Sequence, residues 1–190
     1  MKIAIIGHGT SLIGANKGEL IDAHDVVVRL KGCGASLQFP HDYGSMTTAI
    51  CMTTEVSQLA FETQAGSYWF YPKNGSFDQV ATFKAVAELG APCMIPLKLM
   101  NFWNEKFRTL ETTHNNVSTG MAAVIIAAHY YEPEMITLGG FDSILDPDAP
   151  FERNPAIPRT GVGPSQHDWV AESKLLRVVE EAYGFKVAEL

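Results

Sequence analysis

The sequence predicts an α/β fold in which a mostly parallel β-sheet carries helices on both faces. Short apolar segments alternate along the chain with longer segments of helical spacing, as in folds built from β-α-β units. Most of the short segments are uninterrupted apolar runs, which is typical of strands buried on both faces of a sheet. The chain has 190 residues, 46% of them apolar and 18% charged. Because this length suits one compact core, we expect a single domain over residues 1–190.

The individual elements follow from local patterns of apolar residues and of Gly or Pro. The predicted strands cover residues 3–6, 26–30, 49–52, 68–71, 93–95, 135–138 and 185–188. The predicted helices cover residues 77–89, 102–110, 118–131 and 165–183. Residues 142–164 contain five prolines and have no apolar period. We interpret this segment as a long surface loop, and loops of this length are usually lids, binding loops or disordered segments.

Composition and charge argue against several classes of function. The net charge is −7, so duplex nucleic acid and anionic membrane surfaces would both repel the chain. Cys33, Cys51 and Cys93 form no CxxC pair, and they predict buried thiols in a reducing compartment. The longest apolar run, residues 121–131, is too short to cross a bilayer, and the N-terminus lacks the pattern of a signal peptide. We therefore expect a cytoplasmic location, no nucleic-acid partner and no membrane span.

A glycine-rich loop follows the first predicted strand and consists of Gly7, His8, Gly9, Thr10 and Ser11. In a parallel sheet, ligands bind at the edge formed by the carboxyl ends of the strands. Glycines there let backbone N–H groups approach a phosphate, and the two hydroxyl groups add donors. The spacing fits neither the dinucleotide fingerprint nor a P-loop. The loop therefore predicts either phosphate binding or a tight turn between strand and helix.

The second predicted strand ends in two cations, Arg29 and Lys31, whereas NAD-binding units place an acidic residue there. Two cations at this edge favour an anionic ligand group. Alternatively, Arg29 is an ion-pair partner of Asp22 or Asp25, which precede the strand. NAD is disfavoured in both cases.

A polar segment, Ser118, Thr119 and Gly120, begins an alanine-rich helix. Ser118 or Thr119 can cap the unpaired N–H groups of the first helical turn. The same groups, together with the helix dipole, can receive a carboxylate or a phosphate. Capping alone does not require all three residue types, so we favour a ligand contact over a simple cap.

Three segments now stand in a distinctive order: Gly7 to Arg29; Ser118-Thr119-Gly120-Met121 with Gly140-Phe141-Asp142 further on; and His167 to Glu172, with the spacing HxxxxE. They resemble the large, small and very small sialylmotifs of glycosyltransferase family 29, the eukaryotic-type sialyltransferases. The family usually has Asn where His8 and Lys31 stand in this chain. The segments span most of the sequence, and together they are far more specific than any one of them.

The resemblance implies a Rossmann-like sheet of the GT-A type and an inverting transfer from a CMP-sugar. The sugar would be sialic acid or a related acidic sugar, and the acceptor a hydroxyl group of a glycan or another molecule. The family needs no metal ion, and we expect no cofactor beyond the donor. The residues that would contact the donor are Gly7, His8, Gly9, Thr10, Ser11, Arg29, Lys31, Ser118, Thr119 and Gly120. His167 would be the catalytic base.

The surroundings of His167 suit a base on physical grounds. Ser165 and Asp168 read as a capping box, which would place His167 in the first turn of a helix. The positive end of the helix dipole disfavours imidazolium, and a neutral imidazole is the form that accepts a proton. Glu172 would lie about 140° around that helix. We therefore expect Glu172 to contact the glycine loop or a neighbouring backbone rather than the base, and assign structural roles to Glu172, Asp168 and Asp22.

Two alternatives stay open. The chain could hydrolyse a CMP-sugar with water, or it could bind a nucleotide without catalysis. The DxD sequence at Asp146-Pro147-Asp148 resembles a metal-binding motif of other glycosyltransferases, but Asp-Pro is ordinary turn chemistry. We therefore predict no metal ligands.

Overall fold

The computed structural model describes residues 1–53, 65–71, 92–148, 152, 155 and 167–190. These residues contain a seven-stranded sheet in the order β5-β4-β3-β2-β1-β6-β7, and every pair of neighbouring strands is parallel. The strands are β1 Lys2–Ile6, β2 Val26–Leu30, β3 Ala49–Thr53, β4 Ser67–Tyr71, β5 Cys93–Met94, β6 Met135–Gly139 and β7 Lys186–Glu189. The fold is a Rossmann-like α/β fold, which confirms the predicted fold class.

Helices cover both faces of the sheet. They are α1 Gly18–Asp22, α2 Pro40–Tyr43, α3 Leu97–Arg108, α4 Thr119–Tyr131, α5 Asp142–Leu145 and α6 Trp169–Tyr183, with a 3-10 helix at Cys33–Gln38. Among the described residues, no helix is both long enough and apolar enough to span a bilayer.

The larger core layer surrounds α4. Nine of the thirteen residues of this helix are buried, since it is apolar on all sides and lies between the sheet and α6. Ile3 and Ile5 of β1 and Val28 of β2 point into this layer. On the opposite face, alternate residues of β1 and β2 pack against α1 and α2 in a smaller cluster: Ala4, Ile6, Leu12, Ile21, Val27 and Tyr43. The period-2 alternation of the strands thus divides the core into two layers.

The topology places a crevice beside β1. The chain runs from β1 to β2 on one side, and β6 returns on the other side, so strand order reverses at β1. Ligands of open parallel sheets bind at such a reversal, outside the carboxyl ends of the strands. The carboxyl ends of β1, β2, β3 and β6 all lie at this edge.

Several predicted boundaries were wrong. The helix predicted to begin at residue 102 begins at Leu97, directly after Pro96, because Met100, Trp103 and Phe107 extend its buried face toward the N-terminus. The predicted loop over residues 142–164 begins with a short helix, α5. The rest of that loop lies mostly outside the described residues, so the lid stays a prediction. The predicted helix over residues 77–89 also lies outside them.

Candidate functional site

The glycine loop is hydrogen-bonded to the end of β6. The N–H of Gly7 donates to the carbonyl of Gly139 at 2.7 Å, and the N–H of Gly9 donates to the carbonyl of Gly140 at 2.9 Å. A Cβ on Gly9 would lie 2.5 Å from Oδ2 of Asp142, so only glycine allows the two loops to approach this closely. The N–H groups of Gly7 and Gly9 are therefore paired within the protein, and the contact of this loop with the donor stays a prediction. We term this contact between residues 7–11 and residues 139–142 the β1–β6 junction.

Ser11 belongs to the same junction. Its backbone N–H and its hydroxyl both donate to the carboxylate of Asp142, at 3.1 and 2.5 Å. The predicted contact of Ser11 with the donor competes with this internal pairing, whereas the hydroxyl of half-buried Thr10 has no hydrogen-bond partner in the described parts of the chain. Sequence reasoning did not select Asp142 as a site residue. An acidic residue immediately after a strand at the sheet reversal was the signal that could have found it.

His8 and Lys31 lie side by side at the ends of β1 and β2. Nε2 of His8 is 2.8 Å from the carbonyl oxygen of Lys31, and since a carbonyl only accepts, Nε2 carries a proton. Nζ of Lys31 donates to Oγ1 of Thr53, the last residue of β3, at 3.1 Å. Both side chains are half-buried. The structure thus brings two predicted donor-site residues together at the ligand-facing edge of three adjacent strands.

Arg29 does not reach this edge. Its side chain is fully buried, and the guanidinium donates to the carbonyls of Tyr43 and Met46, at 2.8 Å each. Burial lowers the pKa of Arg29, and the charge of nearby Asp22 opposes that shift. The prediction that Arg29 contacts the donor was wrong. Its role is structural, as in the alternative interpretation, although its hydrogen bonds go to carbonyls rather than to a carboxylate.

Asp22 binds the same segment, which precedes β3. Its carboxylate accepts the N–H groups of Ser45 and Met46 and the hydroxyl of Ser45. Burial raises the pKa of Asp22, but these hydrogen bonds outweigh burial, and the pKa lies below its usual value. Asp22 and Arg29 together fix the loop that enters β3, in agreement with the structural role predicted for Asp22.

The start of α4 is capped by Ser118, which is itself hydrogen-bonded to Glu172. The hydroxyl oxygen of Ser118 accepts the N–H of Met121 at 3.1 Å, so Ser118 is the N-cap. The same hydroxyl donates to Oε2 of Glu172 at 2.6 Å, and the backbone N–H of Ser118 donates to Oε1 of Glu172 at 2.7 Å. Ser118 thus has its donors paired within the protein, and the half-buried Thr119 is the residue of this segment that reaches the surface.

Gly120 is explained by packing. A Cβ on this residue would lie 2.8 Å from Cε1 of the Phe141 ring, at the end of β6. The small residue lets the buried aromatic ring pass close to the first turn of α4. Sequence reasoning assigned Gly120 to a ligand; its requirement for glycine comes from Phe141.

The segment before α4 is tied to α3 by a residue that sequence reasoning missed. Oδ1 of the fully buried Asn104 accepts the hydroxyl of Tyr71 at 3.1 Å and the N–H of Val117 at 3.2 Å. Burial raises the pKa of Tyr71 well above its usual value, so this hydroxyl stays a donor. A polar residue on the apolar face of a helix, next to Trp103, was the only signal.

His167 lies beside Glu172, contrary to expectation. The N-cap of α6 is Asp168, whose carboxylate accepts the N–H of Ala171 at 2.9 Å, so His167 precedes the helix instead of lying in its first turn. Ser165, the predicted cap, lies outside the described residues. Nδ1 of His167 is 3.7 Å from Oε1 of Glu172. Glu172 does contact a neighbouring backbone, as expected, but it also lies beside His167. We term Ser118, Glu172 and His167 the α4–α6 junction.

The predicted DxD segment behaves as a turn. The carboxylate of Asp146 accepts the N–H of Asp148 at 3.3 Å, and both residues are exposed. This local bond is the ordinary pattern of Asp in turns.

The chain is thus an α/β protein with a Rossmann-like sheet, whose carboxyl edge carries Lys31 and His8. Residues 1–82 match the model of glycosyltransferase family 29 (sialyltransferase). The match covers the first of the three motifs and agrees with the resemblance to that family; the other two motifs lie beyond the matched residues.

Solved structures extend the likeness in fold to almost the whole chain. A crystal structure of a mammalian sialyltransferase aligns with a TM-score of 0.65 and 22% identity, over 98% of this chain and 68% of that chain. A mammalian sialyltransferase in complex with Gal-beta-1-3GalNAc-ortho-nitrophenol aligns with a TM-score of 0.62 and 17% identity over the same shares. A search of curated protein sequences returned no match.

Proposed function

We propose that this protein transfers sialic acid, or a related acidic sugar, from a CMP-sugar to a hydroxyl acceptor, with inversion and with His167 as the general base. The observation that carries the proposal is the α4–α6 junction. One buried carboxylate, that of Glu172, contacts both the helix start predicted to hold the donor and the histidine predicted to activate the acceptor. Two motifs separated by about 50 residues of sequence therefore meet at one place.

The donor would be held by charge and by the start of α4. The first-turn N–H groups of Thr119 and Gly120 lie at the positive end of the α4 dipole, which suits a phosphate or a sugar carboxylate. Lys31 supplies a cation at the same edge of the sheet, with His8 against its carbonyl. Because these groups can balance the charge of CMP as it leaves, we propose that transfer needs neither a metal ion nor a cofactor.

The reaction would be a single displacement. The acceptor oxygen attacks the anomeric carbon while the bond from that carbon to the phosphate oxygen of CMP breaks, and the electron pair leaves with CMP. The acceptor proton passes to the imidazole of His167 and then to solvent. The side chain of His167 is 29% exposed, so an acceptor hydroxyl can reach it.

The acceptor is proposed to be a glycan hydroxyl. One mammalian sialyltransferase with this fold has been solved in complex with a disaccharide derivative, Gal-beta-1-3GalNAc-ortho-nitrophenol. We propose a cytoplasmic location on the ground that Cys33 and Cys51 are buried thiols.

The test has two stages. Calorimetric titration with CMP, UMP, AMP and NAD, with and without EDTA, measures nucleotide selectivity, and we expect CMP to bind selectively in both conditions. The protein is then incubated with CMP-sialic acid and a panel of glycans, while CMP release and sugar incorporation are followed separately. Incorporation that matches CMP release supports transfer. CMP release without incorporation indicates a hydrolase, binding without consumption indicates a nucleotide-binding module, and preference for adenine nucleotides contradicts the proposal.

A further inference from the structure

We propose that Glu172 is a positioning residue that keeps the proton of neutral His167 on Nδ1, so that Nε2 is the nitrogen that accepts the proton of the acceptor. This inference rests on the proposed function for its catalytic meaning, but the protonation pattern it predicts is a property of the protein without substrate.

The first step concerns the state of the Glu172 side chain. It is fully buried, and both of its oxygens accept hydrogen bonds, Oε1 from the N–H and Oε2 from the hydroxyl of Ser118. Accepting at both oxygens is what an ionised carboxylate does. Both donors come from one residue of another element, so the carboxylate is fixed in position by the start of α4.

The second step concerns the orientation of the imidazole. The ring nitrogen that faces Glu172 is Nδ1, at 3.7 Å from Oε1, which is an ion-pair distance but too long for a direct hydrogen bond. The ring also lies against Trp169, with 4.8 Å between the ring centroids and 39° between the planes. The carboxylate and the indole therefore define which edge of the imidazole faces inward.

The third step links this geometry to chemistry. Neutral imidazole carries its proton on one nitrogen only, and a carboxylate next to Nδ1 favours the proton there. The lone pair then lies on Nε2, on the side away from Glu172. When Nε2 accepts a proton, the positive charge of the ring forms beside a fixed negative charge, which stabilises it.

Capping of α4 does not by itself explain the carboxylate. The hydroxyl of Ser118 already caps the helix by accepting the N–H of Met121. Burial of an ionised group is costly unless it is paired. A partner that gains charge during the reaction gives this buried carboxylate a function that an apolar side chain in its place would lack.

The decisive measurement is the tautomer of His167, read from imidazole ¹⁵N chemical shifts by NMR at a pH where the ring is neutral. His167→Asn identifies the signals by their loss. We expect the Nδ1–H form in the unaltered protein; the Nε2–H form, or an even mixture, would overturn the proposal. Glu172→Gln is expected to move the equilibrium toward Nε2–H, because a neutral amide attracts the Nδ1 proton less. An unchanged tautomer in this variant would also overturn it.

Two further variants separate positioning from structure. Glu181→Gln removes the same charge from an exposed site on the same helix and should leave the tautomer and the kinetics unchanged. Ser118→Ala removes the cap and the hydrogen bond to Oε2 but keeps the backbone N–H bond to Oε1, the oxygen that faces His167. It should therefore raise KM for the donor with the tautomer retained. If Glu172→Gln does not fold, Glu172→Asp, which withdraws the carboxylate by one methylene, replaces it with the same expected direction.

Kinetics complete the test where transfer is observed. Glu172→Gln should lower kcat by about tenfold or more, within the contribution of a general base, beyond any change that Ser118→Ala makes in kcat. Equal kcat values in these two variants would contradict positioning. If the unaltered protein does not consume CMP-sialic acid, the proposed function fails, and the NMR result still decides the protonation pattern independently.

Discussion

Two junctions at the carboxyl edge of the sheet use the same kinds of residue for different purposes. In the β1–β6 junction, the donors of Gly7, Gly9 and Ser11 are all paired with acceptors at the end of β6. In the α4–α6 junction, the donors of Ser118 are paired with Glu172, but the same carboxylate also faces His167, whose ring is partly exposed. The first junction holds two loops together, whereas the second also places a partly exposed imidazole beside its carboxylate.

The comparison shows what a motif rich in Gly and Ser can mean. Both junctions carry residues that suggest phosphate binding, yet small size and hydroxyl donors serve equally well for close packing between loops. The difference is that the carboxylate of the α4–α6 junction also faces a partly exposed histidine. The predictions that follow test this difference.

The largest effect is expected at the α4–α6 junction. His167→Ala should lower turnover of the CMP-sugar by about 100-fold or more, because a general base contributes on this scale, while the Kd for CMP stays unchanged. Turnover is measured by CMP release and Kd by calorimetry. His41→Ala, at an exposed position on α2, is the matched control and should behave like the unaltered protein. Retained turnover in His167→Ala would exclude this residue as the base.

The next effect concerns stability at the β1–β6 junction. Gly9→Ala should lower the free energy of unfolding by about 1–3 kcal/mol, since the new methyl group meets the Asp142 carboxylate, which Ser11 holds in place. Urea unfolding measures the change. In an Asp142→Ala background, the same substitution should cost at least about 0.5 kcal/mol less, because the clash is gone. An equal cost in both backgrounds would show that the two loops do not meet as described.

A smaller effect distinguishes the roles of Arg29 and Lys31, the two cations at the end of β2. Lys31→Met should raise the Kd for CMP by about tenfold and weaken its salt dependence, because one charge–charge interaction worth about 1.4 kcal/mol is lost. Lys98→Met removes the same charge from an exposed position on α3 and should leave the Kd unchanged. Arg29→Met should mainly lower stability, because it leaves the buried carbonyls of Tyr43 and Met46 without donors. An unchanged CMP Kd in Lys31→Met would place the donor elsewhere.

The smallest effect is a pH dependence. The pKa of Asp22 in the folded protein lies below its ordinary value of 3.8, so its contribution to stability is present above that pH and is lost as the pH falls through the lower folded value. Asp22→Asn should therefore flatten the loss of stability below about pH 4. Urea midpoints between pH 2 and pH 6 measure it. A slope identical to that of the unaltered protein would show that Asp22 is not held by the loop before β3.

Local patterns predicted the fold well. The strands at residues 26–30 and 68–71 were placed to within one residue because continuous apolar runs are a local signal, and the helix after Ser118 was placed for the same reason. The start of α6 was wrong because two residues, Ser165 and Asp168, are equally good caps by sequence. A choice between two such caps depends on the packing of the preceding segment.

The candidate site was predicted less completely. His8 and Lys31 lie at the carboxyl edge of the sheet, as predicted, and the second motif contacts the first at Asp142 and the third at Ser118. Arg29 was misplaced because a cation near the end of a strand looks the same in sequence whether it turns toward the ligand edge or toward a neighbouring loop. Asp142 and Asn104 were missed because each acts through a hydrogen bond to a residue that is distant in the sequence.

The sequence by itself determined the class of this protein: the alternation of strands and helices, the parallel sheet, and the resemblance of its motifs to those of a known family. These features depend on the period of apolar residues and on short motifs, both of which are local. The tertiary structure alone decided which donors are paired with which acceptors within the protein. Ser11 and Asp142 are 131 residues apart, and Ser118 and Glu172 are 54 apart. A hydrogen bond between such residues forms only after the sheet has brought their loops together, so its partners cannot be read from either segment alone.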